Sequence, residues 1–179
     1  MSAEVNRHWP VVAVAPPTLS PGLRVLSNAL GVIFLLAAFL QIIGFQDFAN
    51  NLTDQGLSGA RYWGGVIIFT ELWAAAGFFK IPLSPLFRKF SNSLAVLVAG
   101  LWFYQIVRIM SDDFSISKTA NFFGKYLTQP PGWWALAESA VFLLLVLHVV
   151  DAASQRASQR AKVVTTVIHK NAKKEARDV

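Results

Sequence analysis

Glu71 stands inside an apolar run, Tyr62 to Phe79, of which it is the only formally charged member. A carboxyl placed there must be paired, must hold or pass a proton, or must hydrogen-bond the head of a small molecule, because a bare charge inside a membrane helix costs several kcal/mol. It lies about 13 Å from the outer end of the run at 1.5 Å per residue. Arg108 and Glu138 fall in two later runs, within about 3 and 8 Å of the same outer boundary. That depth lets them form an interhelical ion pair, with Arg108 also able to reach toward Glu71. Two accounts of this set stay open. In the first, Arg108 ties the last two helices together and Glu71 is protonated and hydrogen-bonded. In the second, Glu71 is a proton-accepting or quinone-contacting carboxyl in a pocket lined by Trp73, Trp102, Phe103 and Tyr104. His148 lies three residues before Asp151, which offers neither a metal set nor a catalytic triad.

The chemistry that remains is narrow. There is no cysteine, which removes disulfides, thiolate catalysis, iron–sulfur ligation and thiol-based zinc sites. No phosphate-cradling glycine loop, zinc-protease helix or nucleophile elbow occurs either, which argues against a conventional hydrolase or kinase.

The elements that carry these residues are apolar helices. The chain has 179 residues, 54% of them hydrophobic, and a mean hydropathy of +0.46. That is more apolar than one soluble core of this size requires. The excess gathers into four runs near residues 25–45, 62–79, 94–110 and 133–150, each close to the roughly 20 residues that cross a hydrocarbon core. A soluble four-helix bundle would show a polar stripe on every helix, whereas these runs are apolar nearly all round. The expected fold is therefore all-α, an integral membrane four-helix bundle over 24–151, preceded by an arm (1–23) and followed by a basic tail (152–179).

Lysine and arginine set the orientation. They concentrate before the first run (Arg7, Arg24), between the second and third (Lys80, Arg88, Lys89) and in the tail, against Arg61, Lys118 and Lys125 in the other two connections. By the positive-inside rule both termini are cytoplasmic. The net charge of +6 then faces anionic lipid rather than nucleic acid. With Pro10, Pro16, Pro17 and Pro21 interrupting the arm, no cleavable signal is expected. Phe48, Leu52 and Leu57 in the first outer connection are spaced for a short helix at the membrane surface. Ser27 and Gly31, Ala95 and Ala99, and Ala135 and Ser139 stand four apart, a spacing that lets helices approach closely.

Taken in order, these features resemble the DoxX and MauE group of four-helix membrane proteins. Arg24, Gly31, Phe34, Gln41, Phe45 and Phe48 are similar to that group's first span, with Gln41 in place of its usual lysine. Glu71-Leu72-Trp73-Ala74-Ala75-Ala76-Gly77 is similar to its second. Before the last span, Ala120-Asn121-Phe122-Phe123-Gly124 and then Gln129-Pro130-Pro131-Gly132-Trp133-Trp134 match the frame of the MauE element but put Ala120 and Phe122 where its cysteines stand. The resemblance thus implies the fold and not the thiol chemistry. It leads to a noncatalytic accessory subunit or assembly factor of a larger, redox or bioenergetic, complex in a bacterial inner membrane. Trp73, Trp102, Tyr104, Phe122 and Phe123 are its candidate quinone or partner contacts, and Glu71, Arg108, Glu138 and Gln41 its intramembrane polar candidates. No cofactor is required, although a quinone or lipid could bind. A quinone-interacting oxidoreductase subunit using Glu71 and Arg108 is the alternative, and a small-solute or proton carrier stands behind both.

Overall fold

A computed structural model describes residues 19–79, 81, 84–111, 123, 126 and 132–175, with side chains as far as 158. Among these residues it forms five α-helices: α1 (Pro21–Ile43), α2 (Phe45–Asp54), α3 (Ala60–Phe78), α4 (Pro85–Ser111) and α5 (Trp133–Glu175). There is no strand among the described residues.

The breaks between helices have local causes. Gly44 separates α1 from α2 while its N–H still donates to the Leu40 carbonyl at 3.0 Å. Between α2 and α3 the chain turns through Gly56 (φ 84°) and Gly59 (φ 72°), left-handed positions that cost glycine nothing. α4 begins at Pro85, nine residues before the run expected at 94. Pro82 and Pro85 read as turn formers, but a proline pre-sets the backbone for a first helical turn. Ser84 completes that start by accepting the Phe87 N–H at 3.3 Å. α5 contains neither glycine nor proline and runs unbroken for 43 residues, about 64 Å, so the last apolar run and most of the basic tail form one rod. The arm up to residue 18 and most of the second outer connection, including Ala120 and Phe122, lie outside the described residues.

Packing is inverted relative to a soluble protein. Val25, Leu35, Leu36 and Phe39 of α1 and Val141 and Leu144 of α5 are exposed, whereas Ala38, Ala74, Ala95, Val98 and Ala99 are fully buried. Large side chains on the outside and small ones at the seams are what a lipid solvent selects, since tails reward apolar surface while helix contact depends on close approach. Three of the described helices are long and apolar enough to cross a bilayer, Pro21–Ile43, Pro85–Ser111 and Trp133–Ser158, which marks a multi-pass membrane protein. α3, at 19 residues with Arg61 and Glu71 inside it, is not among them.

α3 nonetheless sits centrally, packed between α1 and α4, while α5 packs on α4 and only sparsely on α1. Two serines stitch α3 to its neighbours: Ser27 Oγ donates to the Phe78 carbonyl at 2.8 Å and Ser91 Oγ to that of Trp73 at 2.7 Å. All six of the small residues spaced four apart are buried. α2 folds back along the N-terminal half of α3, where Phe45 and Phe48 meet Gly64, with Phe48 and Leu52 in the core.

Candidate functional site

Glu71 is wholly buried, and its carboxyl is gripped from two sides. Gln41 Nε2 on α1 and Trp102 Nε1 on α4 both donate to Oε1, at 3.1 and 3.0 Å. Oε2 has no hydrogen-bond partner among the described residues. The grip depends on helix geometry: Phe34, Ala38 and Gln41 recur at i, i+4 and i+7 along the buried face of α1, so α1 presents its only buried amide at the level of the carboxyl. α2 packs over the site, with Phe48 and Trp102 ring centroids 6.3 Å apart.

Beside Glu71 lies a cavity of about 200 Å³. Ile33, Phe34 and Ala37 of α1 form one wall, and Glu138, Ser139 and Phe142 of α5 the other. Glu71 and Trp102 complete it, together with Phe123 from the connection before α5. Phe34 packs against both Phe78 and Phe142, at 5.7 and 5.2 Å between centroids, which fixes the inner wall. Glu138 is exposed and Ile33 is 37% exposed, so these two flank a mouth where α1 and α5 scarcely touch.

The sequence-derived candidates divide accordingly. Glu71, Trp102, Glu138 and Phe123 come together around the cavity, and Gln41 joins them through its bond to Glu71. Trp73 turns to a different face, where it joins Phe69, Phe87 and Phe90 at centroid distances of 5.7, 5.8 and 6.1 Å. Tyr104 points outward, 59% exposed, and Phe103 is half-buried away from the cavity lining. Phe122 lies outside the described residues. Arg108 forms no ion pair with Glu138 or Glu71 among the described residues. Its guanidinium lies against the turn after α2, where a Cβ on Gly56 would meet Nη2 at 3.2 Å. Arg108→Gln should therefore shift the unfolding free energy of the detergent-solubilised protein by less than about 1 kcal/mol, the scale of a partly exposed charge, as measured by SDS titration.

Ser139 and the α1 wall were not singled out as site residues. Ser139 carried a signal as one of a small-residue pair, but that signal speaks of helix approach and not of a cavity. Ile33, Phe34 and Ala37 carry no chemical signature at all. No cluster of three or more His, Cys, Asp or Glu able to hold a metal occurs among the described residues. Compared with protein-family models, with curated proteins and with solved structures, the chain matches none.

Proposed function

We propose that this chain is a four-span membrane subunit, with both ends cytoplasmic, that holds a small amphipathic molecule against Glu71 and works noncatalytically within a larger bacterial membrane complex. The observation that carries this reading is the Glu71 carboxyl: one oxygen fixed by two donors, the other unpartnered, beside an otherwise mostly apolar cavity. A merely structural carboxyl gains nothing from a free oxygen, whereas a binding site needs one.

The fourth span is α3. Its 19 residues measure about 28 Å, close to the hydrocarbon thickness, and Glu71, at 0% exposure, is withheld from lipid. Four spans put the arginines and lysines of the arm, of 80–89 and of the tail on one face. The DoxX and MauE likeness fits the same reading. Gln41, which stands where those families carry lysine, is one of the two donors to Glu71, so the position keeps a donor while losing the charge.

The test is purification in mild detergent with mass spectrometry of retained proteins and small molecules, for the wild type and for Ala37→Leu, which fills the cavity. Wild type should carry partner subunits and a small molecule near one per chain. Ala37→Leu should retain at least about ten times less of that molecule while keeping its helical circular dichroism. A solitary bundle with nothing bound, or equal retention by the variant, overturns the proposal.

A further inference from the structure

Among the described residues, the polar groups that line the cavity are two carboxyls and one hydroxyl. Glu71 offers Oε2, and Glu138 offers a second carboxyl from the opposite wall. Ser139 gives its hydroxyl proton to the Leu136 carbonyl at 2.9 Å, so its oxygen can only accept. The Trp102 N–H is spent on Glu71. No lysine, arginine or histidine is among the described residues that line it. Between the carboxyls stand the rings of Phe34, Trp102, Phe123 and Phe142, whose faces attract a cation and whose edges pack an apolar body.

From this lining we infer that the molecule held at Glu71 is a lipophilic ammonium: one positively charged nitrogen on an apolar, ring-sized body. The inference rests on the reading that the cavity holds a small molecule and supplies its chemical class. A quinone carbonyl meets at most one donor here, the Glu71 carboxyl in its protonated form, and an anion meets two carboxyls. A cation instead pairs with both carboxyls, and its binding favours the ionised form of Glu71 that burial alone opposes. Its route is lateral. Amphipathic amines settle at headgroup depth with the apolar part inward, and Glu138 stands about 8 Å inside the outer end of α5, at the mouth between α1 and α5. Glu138 captures the nitrogen at the mouth, and Glu71 receives it at the cavity floor.

Equilibrium dialysis of the full chain in dodecyl maltoside tests this with three probes: benzyltrimethylammonium, its neutral isostere neopentylbenzene, and decylubiquinone. The ammonium should bind saturably at one per chain, at least about tenfold more tightly than the isostere, the ratio expected for one ion-pair and cation–π contribution. Glu138→Gln, at an exposed position where folding is not at stake, should weaken the ammonium about five- to tenfold and leave neopentylbenzene unchanged. Glu71→Gln should weaken it at least as much. Equal binding of ammonium and isostere, binding indifferent to both substitutions, or tight decylubiquinone binding that the ammonium cannot displace overturns the cationic class. In those cases, if Ala37→Leu still abolishes binding, the small-molecule reading stands without its cation. If none of the three probes binds the folded chain, both readings fall together.

Discussion

Glu71→Leu is expected to lower the unfolding free energy of the solubilised bundle by about 3 kcal/mol, whereas Glu71→Gln should change it by less than about 1 kcal/mol. The difference follows from which atoms lose partners. Leucine takes the shared acceptor away from the Gln41 amide and the Trp102 N–H, and each buried hydrogen bond so lost costs about 1–2 kcal/mol where neither water nor lipid replaces it. Glutamine still presents a carbonyl oxygen to both. SDS-titrated unfolding of the three proteins, read by circular dichroism, measures the gap. Equal losses for Leu and Gln would mean that the two hydrogen bonds do not hold the bundle. Combined with the dialysis experiment, the Gln variant separates the two duties of this side chain, because its folding should survive while its ammonium affinity does not.

Gly77→Val should be more damaging still, giving little or no monodisperse protein on size exclusion. A Cβ at Gly77 would overlap the Ser91 side chain, which is committed to the Trp73 carbonyl. Ser91 is fully buried, so α3 and α4 must separate to make room. Separation loosens the seam that also positions Trp102 over Glu71, and overpacking of this kind typically costs about 1–3 kcal/mol, more where backbone must move. Gly100 is the control. It lies on α4 with nothing within 4 Å of its would-be Cβ, and Gly100→Val should run as a single wild-type-like peak. Identical behaviour of the two variants would sink the claim that the α3–α4 approach is set at Gly77.

The contrast between these glycines also shows where sequence reading succeeds and where it stops. Helices apolar on every side are legible one at a time, because lipid rewards each residue by its own hydropathy. Glu71 is legible for the complementary reason, since a charge in such a run is expensive wherever it points. Its partners are another matter. Gln41 and Trp102 lie 30 and 31 residues from Glu71 along the chain, and nothing local says that three helices bring them to one oxygen. Arg108 illustrates the reverse error. Depth along the membrane normal suggested a pair with Glu138, but depth is one coordinate, and rotation about α4 carries the guanidinium to the turn at Gly56 instead. The early start of α4 was hidden by Pro85, a residue that opens helices as readily as it ends them. The cavity walls were illegible altogether, because Ile33, Phe34 and Ala37 look like any other part of an apolar run.

A bundle with alanines at its seams and large side chains on its outside has an unusual tolerance for sequence drift. Leu35, Leu36 and Phe39 meet only surroundings as apolar as themselves, so exchanges among leucine, isoleucine, valine and phenylalanine there cost next to nothing and leave no trace in the fold. Ala38, Ala74, Ala95 and Ala99 have no such freedom, since each is enclosed on all sides and any larger side chain must push a helix away. In this chain the residues that look least informative, short methyl-bearing positions between bulky neighbours, are the ones that specify the shape. The large side chains of the exposed faces, unlike Phe34, Phe48 and Trp102 inside, are largely interchangeable filling.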